Sequence, residues 1–185
     1  MMVQDLGIDG LVLVTPRRFG DDRGWFTESW SARAMAEAGL EYHWVQDNHS
    51  FSAQRGTLRG LHYQSPPHAQ DKLVRCTRGA VLDVGLDARV GSPTFGAWRA
   101  VELSPANGAQ LFLPKGFLHG FLTLTEDCEV QYKCTDYYAP EADGSVRWDS
   151  AGVDWGFDGT PVLSAKDAAA PAFADWTSPF TMEAA

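Results

Sequence analysis

Ala80-Val81-Leu82-Asp83-Val84-Gly85-Leu86-Asp87 decides the class of fold. In an extended chain Ala80, Leu82, Val84 and Leu86 share one face and Val81, Asp83, Gly85 and Asp87 the other, a period of two that a helix does not keep. Glu129-Val130-Gln131-Tyr132-Lys133-Cys134 repeats the pattern, with Val130, Tyr132 and Cys134 opposed to Glu129, Gln131 and Lys133. Each such strand is expected to offer one face to a core. Outward from these two, between Leu11 and Tyr138, short runs of β-branched, aromatic and aliphatic residues are separated by Gly, Pro, Asn and Asp. That punctuation belongs to an all-β sandwich or barrel. The strands read this way cover residues 11–14, 25–29, 44–51, 73–77, 80–87, 97–103, 109–113, 120–124 and 129–137.

Helical pattern appears in two peripheral places, residues 32–38 closed by Gly39, and a short segment opened by Ser164 after Pro161-Val162-Leu163. No repeat or low-complexity linker divides the chain, so residues 1–185 are expected to form one domain. The stretch after Ala168, rich in Ala and Pro, is expected to wrap loosely or pack on a partner subunit. With 44% of residues hydrophobic and 21% charged, material for one core is ample. A formal net charge of -9 argues against nucleic-acid or membrane-surface binding, since attraction to polyanions needs an excess of Lys and Arg. Any anionic ligand would then need a local basic pocket. Cys76, Cys128 and Cys134 are odd in number and lack CxxC spacing, which fits buried reduced thiols. The N-terminus shows no basic stretch followed by an apolar run, and no apolar segment is long enough to span a bilayer, so the cytoplasm is the expected compartment.

Polar residues gather in four stretches that a barrel could bring together: 23–28, 46–50, 55–72 and 115–138. In Arg55-Gly56-Thr57-Leu58-Arg59-Gly60-Leu61-His62-Tyr63-Gln64 the glycines permit tight turns and close approach of backbone to a ligand. Arg59 can meet a phosphate as a planar fork. Lys72 can place a point charge on a developing oxyanion, and His62 is suited to take a proton near neutrality. Taken singly, His62 reads first as a histidine satisfied by a backbone carbonyl, and only its neighbours turn that reading. Tyr132 reads as core packing, Arg23 beside Asp21-Asp22 as a surface ion pair, and Ser164-x-x-Asp167 as a cap closing a short helix.

Leu113-Pro114-Lys115-Gly116-Phe117-Leu118-His119-Gly120-Phe121 contains PxGxxH and resembles the second half of the cupin signature. A metal-binding cupin would add HxH and a downstream Glu. Here Gln64 stands two residues after His62, and the nearby polar residue is Lys72, whose ammonium repels a cation. The expectation is a cupin barrel without a metal site.

Arg59 to Gln64, Pro114 to Phe121 and Tyr132-Lys133-Cys134-Thr135-Asp136-Tyr137-Tyr138-Ala139-Pro140 together resemble the dTDP-4-dehydrorhamnose 3,5-epimerases. The likeness extends to Asp22-Arg23-Gly24-Trp25-Phe26-Thr27-Glu28, Gln46-Asp47-Asn48-His49-Ser50, Arg147-Trp148-Asp149 and Leu163-Ser164-Ala165-Lys166-Asp167, covering most of the chain. The resemblance implies a homodimeric, cupin-like jelly-roll barrel with a few short peripheral helices. It implies a dTDP-4-keto-6-deoxy-sugar substrate and no metal or nucleotide cofactor. By matching position His62 would be the base, Tyr132 the acid on the opposite face of the sugar, Lys72 the enolate stabiliser, and Asp167 the partner that orients His62. Arg23, Phe26, Glu28, Gln46, Asn48, Arg59 and His119 would hold nucleotide and sugar, some from across the dimer, with Tyr138 stacking near the sugar and Asp143 and Lys166 beside it. Asp143 stands where the family often has Glu, Ser145-Val146 departs from a common Ile, and Ala165 replaces a common Glu, which places the loop contacts, more than the chemistry, in question. A single-centre epimerase, a metal-dependent cupin enzyme, a sugar ketoisomerase and a noncatalytic sugar-nucleotide binding module are the competing readings.

Overall fold

The computed structural model describes residues 1–182, and among these the chain forms thirteen strands and two short α-helices, with one 3-10 turn at Phe173–Asp175. In chain order they are β1 (Met2–Asp5), β2 (Val12–Thr15), β3 (Arg18–Asp21), β4 (Gly24–Thr27), α1 (Ala32–Glu37), β5 (Gln46–Ser52), β6 (Leu58–Gln64), β7 (Lys72–Arg78), β8 (Val81–Asp87), β9 (Trp98–Leu103), β10 (Gln110–Leu113), β11 (Phe117–Thr123), β12 (Cys128–Cys134), β13 (Asp143–Ser145) and α2 (Ala165–Ala168). Six strands pair as β1-β2-β10-β7-β12-β5 and five as β13-β6-β11-β8-β9, while β3 and β4 form a separate hairpin. The order in space differs from the order in sequence because the chain crosses repeatedly between the two sheets, as a jelly roll does.

Alternation explains the layers. Inward side chains such as Val74, Val81, Leu111, Phe117, Phe121 and Val130 fill the space between the sheets. The outer face of the five-stranded sheet is also buried, with Leu58, Leu61, Val84, Leu86, Leu118 and Leu122 under Trp155 and Phe180. Met35 of α1, with Leu40, Leu73 and Phe112, covers the outer face of the other sheet. β8 is therefore buried on both faces, which corrects the expectation of one core face per strand: a second layer supplied by the C-terminal segment covers the Val84 and Leu86 side.

That segment also departs from the loose wrap expected of it. The Arg147 amide donates to Pro171 O (2.8 Å), Phe173 N to Ser150 Oγ (2.9 Å), Val90 N to Phe180 O (2.9 Å) and Met182 N to Val90 O (2.9 Å), so the described tail is stitched to its own barrel. β6 was not anticipated as a strand, because its glycine read as a turn. Gly60 instead has φ +140°, and a Cβ there would lie 2.5 Å from Gly120 Cα, so two glycines let β6 and β11 pass closely. The run expected at 120–124 begins at Phe117, and that expected at 129–137 ends at Cys134. β1, β3 and β13 are short and were not foreseen. Cys76, Cys128 and Cys134 are unpaired and buried, and burial pushes the Cys76 thiol up to about 12.

Candidate active site

The two sheets contribute different chemistry to one cavity. β6, β11 and β8 carry His62, His119 and Asp83 on the five-stranded side, with His119 in register with both His62 and Gly85. β7, β12 and β5 carry Lys72, Tyr132, Asn48 and Gln46 on the other, where Cys134 is opposite Lys72 and Tyr132 is opposite Asn48. Between them is a cavity of about 390 Å³ whose lining includes Gln46, Asn48, His62, Lys72, Tyr132, Tyr138, Asp143 and Lys166.

His62 is fixed by a residue 105 positions away. Its Nε2 lies 2.5 Å from Asp167 Oδ1, and Asp167 is 2% exposed. The other carboxylate oxygen accepts from Ser164 Oγ at 2.9 Å, and the same hydroxyl accepts from Asp167 N at 3.1 Å as the cap of α2. Burial opposes ionisation of Asp167, but donors from His62 and Ser164 outweigh it and hold the carboxyl below its ordinary range. A neutral imidazole that donates Nε2–H to this carboxylate keeps its free lone pair on Nδ1.

Lys72 sits in the barrel interior, where burial lowers its pKa against the opposing pull of Cys134, Asp83 and Asp143. Its Nζ lies 5.9 Å from the Tyr132 ring centroid. Burial raises the pKa of the Tyr132 phenol, keeping it protonated across the neutral range. His119 is buried and joined through Nε2 to Asp83 Oδ1 at 2.6 Å, with burial lowering its pKa despite that partner. Asp83 Oδ2 has no hydrogen-bond partner among the described residues.

The cavity rim is a polar chain. Asp143 Oδ2 accepts from Lys166 Nζ (2.5 Å) and from the Tyr138 hydroxyl (3.2 Å). The Tyr138 amide donates to Gln46 Oε1 (3.0 Å), and Gln46 Nε2 donates to Asn48 Oδ1 (3.1 Å). The structure thus brings together nine of the residues singled out in the sequence, counting Asp167 behind His62, with His119 buried next to them. It does not bring the rest. Arg59 turns its guanidinium to Phe51 O (3.0 Å) and Ser52 Oγ (3.2 Å). Arg23 is exposed and ion-paired with Asp21, as its surface reading anticipates, Phe26 is 65% exposed, and Glu28 lines a separate crevice with Arg17, Phe19 and Trp30. Gln64, at the position where a cupin metal ligand would stand, spends its amide on His68 O, Tyr137 O and the Ala139 amide. Asp83 and Ser164 were not read as site residues. The signal for the first is an acid among the inward residues of β8, on the face of Val81 and Gly85; for the second, the S-x-x-D spacing itself.

A larger cavity of about 410 Å³ lies on the outer face of the six-stranded sheet beside Trp30, Asp47, His49, Arg75 and Lys133. Its imidazole, His49, is half exposed and pairs with an acid on the sheet surface, and Lys72 does not reach it, whereas the interior site joins an imidazole held by a buried carboxylate, a buried ammonium and a facing phenol. Those three groups suit proton transfer beside a carbonyl, with the ammonium on the oxygen where charge develops.

The family described as dTDP-4-dehydrorhamnose 3,5-epimerase matches residues 5–175. A relative of that description from Sinorhizobium fredii is 50% identical over 181 residues, 95% of this chain and 91% of that protein. One from Salmonella typhimurium is 48% identical, covering 92% and 94%. The crystal structure of a dTDP-6-deoxy-D-glucose-3,5-epimerase from Legionella pneumophila, in complex with dTDP-4-keto-L-rhamnose, superposes with a TM-score of 0.93 at 42% identity, covering 100% and 99%.

Proposed function

The chain belongs to the dTDP-4-dehydrorhamnose 3,5-epimerase family, and on that premise we propose that this one-domain enzyme inverts C3 and C5 of dTDP-4-keto-6-deoxyglucose. The observation that carries the mechanism is the division of labour between the sheets. A base on β6 and a phenol on β12 approach a ring held between them from opposite sides, as inversion requires.

His62 Nδ1 removes the proton beside the C4 ketone, and the electron pair of the C–H bond moves into an enolate whose oxygen lies against the Lys72 ammonium. Tyr132 then delivers its hydroxyl proton to the same carbon from the other face. His62 is left protonated and Tyr132 ionised, and exchange with solvent restores both. Because C3 and C5 both flank C4, one set of groups serves both centres, and the reaction is redox-neutral. General acid-base groups contribute roughly 10²–10⁴ in rate, so orientation and the cation on the enolate oxygen supply the rest.

In this reading Asp167 orients His62, Gln46, Asn48, His119, Tyr138, Asp143 and Lys166 surround the sugar, and Arg59 serves the diphosphate. Arg23, Phe26 and Glu28 complete the nucleotide end of a partner's site in a homodimer. Exposure of Phe19, Trp25 and Phe26 on one hairpin supports that assignment. Among the described residues no helix is long and apolar enough to cross a membrane, which fits a cytoplasmic enzyme.

The test is incubation with dTDP-4-keto-6-deoxyglucose and an NADPH-dependent ketoreductase in deuterated water. The L-rhamnose product carrying deuterium at both C3 and C5 is expected. Inversion at one centre would make this a single-centre epimerase, and affinity without isotope uptake would make it a binding module.

A further inference from the structure

Ser164 was met in the sequence as the cap of a short helix, and Asp167 as either the end of that cap or the partner of His62. The structure joins the two readings in one side chain. Ser164 Oγ accepts the Asp167 amide at 3.1 Å and donates its proton to Asp167 Oδ2 at 2.9 Å, while Asp167 Oδ1 receives His62 Nε2 at 2.5 Å. A carboxylate that is 2% exposed thus has both oxygens engaged, one by the base and one by the hydroxyl. The Val162 amide donates to Gly56 O and the Leu58 amide to Val162 O, so the segment leading into Ser164 is tied to the start of the strand that carries His62.

We propose that Ser164 is a positioning residue for the base. Its hydroxyl fixes the rotation of the Asp167 carboxylate and stabilises its charge, so that Oδ1 stays aimed at His62 Nε2 and the free lone pair stays on Nδ1. A buried carboxylate oxygen deprived of its donor carries the full desolvation penalty of a charged group. Asp167 would relieve that penalty by turning or by taking up a proton, and either response releases the imidazole. The titratable neighbours of the carboxylate are Lys166 on its own helix and His62 on β6, with Asp143 of β13 already held by Lys166. Neither side chain can replace the hydroxyl without giving up its present role.

The inference rests on His62 being the base, and four variants separate cap from donor. Ser164→Thr and Ser164→Asn keep an acceptor for the Asp167 amide and a donor for its carboxylate. Ser164→Asp keeps the cap but cannot donate and sets a second anion against Asp167. Ser164→Ala keeps neither. With the dTDP-4-keto-6-deoxy-sugar as probe, kcat is expected to fall roughly tenfold for Ser164→Ala, the kinetic equivalent of one hydrogen bond to a charged group, and further for Ser164→Asp. KM should stay within about twofold, and the Thr and Asn variants within about threefold of the parent in kcat. A residue that merely capped α2 would give the opposite ranking, with Ser164→Asp close to the parent and Ser164→Ala the worst. That ranking, or a Thr variant as slow as Ala, overturns the proposal. Asp167→Asn is measured alongside. If it loses turnover while Ser164→Asp does not, only the role of Ser164 fails, and if Asp167→Asn turns over like the parent, the pairing with His62 fails and the inference with it.

Discussion

His62 and His119 stand opposite each other in register on neighbouring strands, each joined through Nε2 to an aspartate, yet their surroundings differ in every other respect. The His62 side chain is 33% exposed to the cavity and its partner comes from a distant helix, with both carboxylate oxygens satisfied. The His119 side chain is 8% exposed, its partner comes from the adjacent strand, and one oxygen of Asp83 has no partner among the described residues. Pairing alone therefore does not make a base. In the proposed mechanism access to substrate and a fully satisfied counter-ion do, and the His119–Asp83 pair, 8% and 0% exposed, has neither.

The largest effect should come from breaking the accessible pair. His62→Ala is expected to abolish both deuterium uptake beside the ketone and epimerisation in deuterated water, a loss of at least about 10³-fold. His119→Asn should slow turnover while leaving exchange measurable by NMR, and if it erased exchange as completely as His62→Ala the distinction between the pairs would collapse.

Tyr132→Phe tests the opposite wall. The base survives, so deuterium should return from the His62 side with retained configuration, while inverted product falls by roughly 10²-fold. Inverted product at near the parental rate would remove Tyr132 from the acid role.

Asp83→Asn probes the enclosed pair as charge. Burial lowers the pKa of Lys72, and Asp83 is among the groups that pull it back up, so loss of the carboxylate should lower it further. Lys72 must be protonated to stabilise an enolate, and the basic limb of kcat/KM should therefore move to lower pH. An unmoved or upward-moving limb would contradict the coupling.

The smallest effect on catalysis is expected at a third buried carboxylate. Asp87 is desolvated, but donors from Arg89, Ser92 and Thr94 overcome this and hold its pKa at about 2. A folded pKa below the unfolded value of 3.8 stabilises the native state above that value, and the contribution is lost as pH falls toward 2. Asp87→Asn should cost on the order of 2 kcal/mol at neutral pH and flatten acid unfolding between those values, with exchange rates unchanged. Denaturant melts at several pH values would show it.

How much of this was legible in the sequence follows from what each residue depends on. β8 and β12 were visible because alternation is local, and β12 placed Tyr132 on the face it occupies. β6, which carries His62, is hidden because Gly60 reads as a turn unless one knows that Gly120 lies against it. Double burial of β8 depends on Trp155 and Phe180, which are far away in the chain. The resemblance named His62, Lys72, Tyr132 and Asp167 from their motifs. Their convergence depends on the crossing between sheets, which no local pattern encodes. Ser164 was seen and assigned to a helix cap, which is true and incomplete, since one hydroxyl both accepts and donates.

The three enclosed thiols give the barrel a built-in clock. A cysteine that does not meet solvent is alkylated only when its surroundings open, so its labelling rate counts openings. Cys134 lies beside Lys72 in the pairing of β12 with β7, whereas Cys76 and Cys128 lie further along the barrel. Comparing the rates at the three positions would tell whether the chamber breathes by itself or only when the whole barrel comes apart.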